Sequence, residues 1–481
     1  MVNKIKLTTV IIILIGFAWL PFIICSYFNF AQHDDLYNHA WLQEKGILGT
    51  AALYVKNHDG RYITNFIGLV GLQFKFLLNN YYLYFILFQA IYIVCIYKII
   101  GNIFNYFAIT VNGKWLTAII INILCMLLMF ETSTAYYWAT SLFSYQLGVL
   151  FMLYFLSLLP LYNAKRCSVL QKIILGFGCI TLIGFHELIW ALCLACIAMW
   201  FVFCIAFKLQ KNKIIFFALP IFIFGIFTLI FLNVLGQTNN EYINKSNGYK
   251  IAHTITQSAT LFILLFQKPL FWLALFVAFL FGNKYGEETK YNYNKLVYLL
   301  VAGFIIAIGV IAVPHIFGMG VPNRVLNILT NFLIFYWGTL CFYLGLQTQP
   351  LRLTIKPLIL FILGFVFICT NNNFIDAIKS VPTGYLYQKF NNSRVAAIKT
   401  STKNNITLKP LDTLMQQYLQ VQPNKIKKIF DQKIGTKPTT QFFDDDLTID
   451  ARIGTYAQYY GIDSITVNGI TKPRFGITDK R

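Results

Sequence analysis

Apolar residues run along this chain in blocks too long for the core of a soluble domain. The first extends from Leu7 to about residue 28, behind a start that carries Lys4 and Lys6. Ten more follow, at about 81–97, 114–131, 144–162, 171–186, 188–207, 214–235, 268–283, 296–313, 326–346 and 357–370. A bilayer-crossing helix needs about 17–25 such residues, so several blocks sit at the short end. The pattern predicts an all-α polytopic membrane protein with about eleven transmembrane helices. The first block is too long for a signal-peptide core, and Cys25-Ser26-Tyr27 is a poor cleavage site. It reads as an uncleaved first span with the N-terminus inside.

A twelfth candidate, Tyr62 to Leu78, changes the sidedness of everything after it. Read as a surface helix, it leaves Lys98, Lys114, Arg166, Lys172, Lys211, Lys284, Lys295 and Arg352 on the side of the N-terminus, as the excess of cytoplasmic Lys and Arg requires. Read as a span, it would put them outside. Residues 33–79 are therefore expected to carry surface helices in a loop on the outer face.

From residue 371 the pattern breaks. Asn, Lys, Thr, Asp and Pro dominate to the end, and no run there is long enough to cross a bilayer. Val395–Ile398, Leu411–Leu419 and Ile465–Val467 have enough apolar character to anchor a small domain. The expected organisation is a transmembrane domain at 1–370 and an extracytoplasmic C-terminal α/β or mixed domain at 371–481.

Composition agrees. Of the 481 residues 57% are apolar and 12% charged, against about 25% charged in soluble domains. A formal charge of +21 would suggest nucleic acid in a soluble protein; in a membrane protein the inner loops collect Lys and Arg, and no nucleic-acid partner is expected. The ten cysteines stop at Cys369, so the polar tail has no disulfide framework. Cys193-x-x-Cys196 lies inside an apolar helix and reads as packing.

Candidate chemistry gathers on the outer side. His33-Asp34-Asp35 follows the first span, with Tyr37 and Trp41 just beyond. Adjacent carboxylates suit a general base, a divalent cation or sugar hydroxyls. Helix positions are about 100° apart, so one carboxylate can act while the other orients it. The plainer alternative is a solvated cap on the next helix; in either case the pair is expected in a surface loop, where replacing Asp34 or Asp35 by Asn leaves stability nearly intact. His186-Glu187 joins two apolar blocks and needs partners there. Glu131, Tyr137 and Trp138 mark another outer turn, where aromatics serve either an interfacial belt or a sugar ring. His315 and Arg324 flank a Gly- and Pro-rich loop. Arg324 and Lys268 each read as a phosphate contact or as a snorkelling cation. His-Glu without a second His at i+4 gives no zinc motif.

In this order the pieces resemble the GT-C glycosyltransferases, membrane enzymes that use polyprenyl-phosphate sugars, and within them the bacterial O-antigen-modifying glucosyltransferase-like members. The resemblance rests on Asp34-Asp35, Gly60-Arg61-Tyr62, Tyr137-Trp138, Gly184-Phe185-His186-Glu187 and Pro322-Asn323-Arg324, and covers most of residues 7–346. It implies inverting transfer at the outer face of a bacterial cytoplasmic membrane, from a polyprenyl-phosphate sugar to a glycan or lipid-linked acceptor. Asp34 or Asp35 would be the base, and Arg324, then Lys268, the phosphate ligand. His33, Tyr37, Arg61, Glu131, Tyr137, Trp138, His186, Glu187 and His315 would shape the substrate cavity. Family members differ in metal dependence, so a Mg or Mn ion at Asp34 and Asp35 stays open. A lipid-linked-saccharide transporter and a non-enzymatic envelope assembly protein are the competing readings.

Overall fold

The computed structural model describes residues 7–31, 33–57, 61–208, 216–231, 246–286, 293–316, 323–348, 357–401, 405–422, 457, 459–460, 462–467 and 470–473. The chain is a multi-pass integral membrane protein. Among the described residues six helices are long and apolar enough to cross a bilayer, or up to eight if two bent pairs each count as one span.

Each of the eleven apolar blocks becomes a helix. The six independent candidate spans lie in α1 (Leu7–Tyr27), α5 (Tyr82–Tyr106), α9 (Leu147–Asn163, extended backwards to Ala139), α11 (Glu187–Ala206), α15 (Tyr293–Ile316) and α16 (Asn323–Leu346). Among the described residues three blocks give helices too short to pass the same test: α6 (Lys114–Leu128), α10 (Val169–Phe185) and α12 (Ala218–Phe231). The remaining two blocks, 268–283 and 357–370, belong to the bent pairs. α13 (Asn247–Phe266) meets α14 (Pro269–Asn283) at 68°, and α17 (Pro357–Cys369) meets α18 (Asn372–Thr400) at 61°.

Two of these helices were not expected from the sequence. Lys250, His253, Gln257 and Ser258 interrupt the apolar pattern of α13, which nevertheless packs along α15. α18 is polar overall, yet Phe374 and Ala377 are buried where it packs against α1 and α6. There the Cys25 thiol donates to the Ala377 carbonyl at 3.1 Å.

The loop expected to carry surface helices holds α2 (His33–Asn57), α3 (Tyr62–Leu72) and α4 (Lys75–Asn79). Helix α2 is a hairpin of two helical arms. Gly46 joins them at φ 68° and ψ 177°, a conformation open essentially to glycine alone. Trp41 and Tyr54 would lie about 20 Å apart on a straight helix; their rings are 5.9 Å apart.

The buried end of α6 organises the bundle. A helix C-terminus leaves four carbonyls without partners inside the helix, and lipid cannot satisfy them. The Lys268 ammonium donates to Leu128 and Met129, each at 3.0 Å. The Asn371 amide donates to Leu127 at 3.0 Å, and the Asn373 amide to Met126, Leu127 and Met129 at 2.9–3.1 Å. Both helix breaks, at 267–268 and 370–371, are thus tied to one point.

Beyond α18 lies a three-stranded mixed sheet. β1 (Asn405–Leu408) pairs in parallel with β2 (Ser464–Val467), which pairs antiparallel with β3 (Ile470–Pro473). Helix α19 (Leu411–Gln420) follows β1. The sheet has its own small core of Ile398, Leu408, Ala457, Ile462, Ile465 and Val467, and Leu36 from α2 completes it.

Candidate functional site

The two adjacent aspartates have different environments. Asp35 is fully buried. One of its oxygens accepts from the Tyr81 hydroxyl, the other from the Thr140 backbone N–H at 3.0 Å and the Thr140 hydroxyl at 2.7 Å. The Tyr81 hydroxyl in turn accepts the Ala139 N–H at 2.8 Å. Asp34, one helix position back, is half-buried. The expectation that either carboxylate belongs to a solvated loop therefore fails for Asp35: its donors point inward, and it pins α2 to the segment after Trp138. A cation shared by both aspartates does not fit this arrangement, because N–H and O–H donors occupy Asp35. Among the described residues no three His, Cys, Asp or Glu side chains converge.

Tyr137 is buried as well, which removes it from an interfacial belt. Its ring stacks on Phe85 at 5.1 Å and its hydroxyl donates to the Phe22 carbonyl at 2.7 Å. Its own carbonyl accepts from the Asn29 amide. Trp138, half-buried, precedes the three-residue helix α8 (Ala139–Ser141), which runs through a π-helical turn, Leu142–Gln146, into α9. Single π turns inside helices often mark functional positions.

Arg61 and Glu187 form the second constellation. The guanidinium meets the carboxylate through two parallel bonds, Nε to Oε2 at 3.0 Å and Nη2 to Oε1 at 2.6 Å, the strongest geometry available to such a pair. Both side chains are about a fifth exposed. His186 has extended backbone angles and caps α11, its Nδ1 accepting the Leu188 N–H at 3.1 Å. Gly184 explains the local sequence, since a Cβ there would meet Ile63 and Tyr62 at 2.6 Å. Its absence lets α3 close on the end of α10, where the Thr64 hydroxyl donates to the Phe185 carbonyl at 2.7 Å.

The turn at 139–146 joins the two constellations: Thr140 holds Asp35, and the Tyr145 ring lies 5.0 Å from His186. It also reaches α16, whose Asn331 amide donates to Gln146 at 2.7 Å and whose Asn331 oxygen accepts from Tyr92 at 2.7 Å. One turn further toward the start of α16, Asn327 exchanges two 2.9 Å bonds with the backbone of Glu131. Asp35, Glu131 and His186, with Glu187 beside it, are thus linked through the 139–146 turn and α16, on which Arg324 lies one turn before Asn327. The side chains of His33 and Arg324 lie outside the described residues, as do His58, Asp59, Gly60, Glu241, Gly318, Gly320 and Pro322.

Two expected site residues are engaged elsewhere. Lys268, the second phosphate candidate, holds the end of α6. His315 is buried, with its Nε2 2.9 Å from the Gln257 oxygen and its ring stacked on His253 at 5.0 Å. Sequence reasoning missed Tyr81, Thr140, Asn327 and Asn331. The two asparagines carried a signal, being carboxamides inside an apolar block, where polar groups need partners.

His39 shows how α2 is seated. It is buried, with Nδ1 2.8 Å from the Leu72 carbonyl. Burial lowers its pKa below the ordinary 6.5; the Leu72 bond opposes this and the nearby Lys75 charge adds to it. The folded protein therefore holds fewer protons here than the unfolded chain, and stability must fall as pH drops below about 6.5. Thermal melts of the detergent-solubilised protein at pH 8 and pH 5 should show a smaller acid loss for His39→Gln than for the parent. An equal loss in both would remove His39 as the source.

No protein-family model matches the chain, and neither a curated protein nor a solved structure is significantly similar to it.

Proposed function

We propose that the chain is an inverting membrane glycosyltransferase of the GT-C type, which moves a sugar from a polyprenyl-phosphate donor to a glycan or lipid-linked acceptor at the outer face of a bacterial cytoplasmic membrane. The observation that carries this reading is the division of labour at Asp34-Asp35: a half-buried carboxylate stands beside a fully buried one that fixes its helix. Asp34 is the base. Polyprenyl phosphate leaves readily, so the protein has mainly to position an acceptor hydroxyl, remove its proton and stabilise the departing phosphate. Arg324 is the phosphate ligand, because Lys268 is committed to carbonyls. Arg61 and Glu187 hold the frame between them.

In this reading the chain crosses eleven times. The shorter helices α6, α10 and α12 count as crossings, the N-terminus is inside, and residues 371–481 share the outer side with Asp34. Cysteines placed at Asp412 and at Lys211 should then differ in labelling by a membrane-impermeant maleimide on intact cells, with position 412 reactive. Equal labelling overturns the topology.

A second reading has its own support. Broken helices are a feature of transporters, and this chain has two, bent by 68° and 61°. Proteoliposomes separate the readings. A glycosyltransferase incorporates radiolabelled sugar from polyprenyl phosphate into an acceptor covalently, whereas a transporter only moves the lipid-linked saccharide across the bilayer. Translocation without incorporation would overturn the proposal.

A further inference from the structure

The arms of the α2 hairpin gather aromatic side chains beside Asp34 that the base and phosphate roles leave unused. Asp34, Tyr37, Asn38 and Trp41 follow an i, i+3, i+4, i+7 spacing and share one helix face. The opposite face is taken up by the bundle: Asp35 bonds to Tyr81 and Thr140, Leu36 enters the core of the sheet, and His39 contacts Leu72. On the first face the Tyr37 and Trp41 rings are 4.8 Å apart. The return arm then adds Tyr54, whose ring is 5.9 Å from Trp41 and whose hydroxyl donates to the Asn38 oxygen. The Thr50 hydroxyl fixes the arms by donating to the Trp41 carbonyl at 3.2 Å. All three rings are half-buried, and Lys45 Nζ lies 5.8 Å from the Trp41 ring.

We infer that Tyr37, Trp41 and Tyr54 form a platform that stacks a neutral pyranose ring of the acceptor glycan, with Asp34 receiving its hydroxyl groups and the buried Asn38 fixing Tyr54 from behind. The chemistry of the face selects this ligand. Large aromatic rings offer flat apolar surface, which matches the C–H face of a pyranose, and a carboxylate matches the hydroxyls at its rim. A belt tryptophan, by contrast, packs singly against lipid and needs no hairpin to gather its neighbours. Asp34 and the Lys45 ammonium stand at opposite ends of the face, and with the base at one end of the rings the platform is assigned to the acceptor. The Gly46 reversal is what brings Tyr54 back to Trp41.

The acceptor assignment rests on the glycosyltransferase reading; sugar binding by the platform does not. The test uses the full chain in lipid nanodiscs and three neutral probes, maltotriose, cellotriose and chitotriose, followed by saturation-transfer NMR. At least one probe should show saturation at its ring C–H protons. Trp41→Ala and Tyr54→Ala should each weaken binding about tenfold, and Trp41→Phe should stay within about threefold of the parent. Thermal melts of the same samples confirm that the variants are folded. Failure of all three probes to bind, or equal binding by Trp41→Ala, overturns the platform. Transfer assays separate this from the wider reading. Sugar binding lost in Trp41→Ala, in a protein that transfers no sugar, leaves the platform standing and ends the glycosyltransferase proposal. Transfer with an acceptor KM unchanged in Trp41→Ala and Tyr54→Ala does the reverse.

Discussion

Replacing Asp34 by asparagine should reduce sugar transfer about a hundred- to ten-thousandfold, the usual contribution of a positioned base, and leave the melting temperature nearly unchanged. Asp35→Asn should do something different. Its carboxylate is fully buried and accepts from Tyr81 and twice from Thr140. An amide would turn an N–H₂ group toward one of these donors, at a cost of about 2–4 kcal/mol. The protein should therefore lose stability first and activity as a consequence. Parallel melts and single-turnover transfer on both variants separate the two effects. If Asp34→Asn keeps near-parental turnover, the base assignment is wrong. If Asp35→Asn melts like the parent, the buried hydrogen bonds do not hold α2 in place.

The second large effect concerns Arg61 and Glu187. Removing either member leaves the other charge mostly buried, and breaking such a pair costs about 3–5 kcal/mol when burial is complete. With each side chain about a fifth exposed, Glu187→Gln should cost about 2–3 kcal/mol. The exchange of both charges, Arg61→Glu with Glu187→Arg, should recover part of that loss. A double-mutant cycle on denaturation midpoints measures the coupling. Additive single effects would show that the two bonds contribute nothing to holding α3 against α11.

These two cases show what the sequence could and could not convey. Apolar block length was sufficient to locate helices, because spanning a bilayer demands length and little else. It failed at α13 and α18, where polar residues break the run and burial is confined to a stripe such as Phe374 and Ala377. It also did not separate the independent spans from shorter helices such as α6, whose end is completed by groups far along the chain. At the candidate site, the sequence marked the elements that carry Asp35, Glu131 and His186, which the 139–146 turn and α16 link. Pairing was not legible. Arg61 and Glu187 are 126 residues apart, and nothing near Arg61 names its partner. Nor does a pair of identical aspartates say which one faces Thr140, since that depends on the rotation of α2 about its own axis.

The capped end of α6 has a consequence for biosynthesis. Its carbonyls wait for Lys268, 139 and 140 residues later in the chain, and for Asn371 and Asn373, which lie 244–247 residues beyond their acceptors. During synthesis, which runs at about 5–20 residues per second, α6 enters the membrane long before those residues leave the ribosome. For that interval its end must be met by water, by lipid headgroups or by an insertion chaperone. Chains that stop before residue 371 would keep the defect permanently, which gives a quality-control protease a local mark by which to tell unfinished molecules from finished ones.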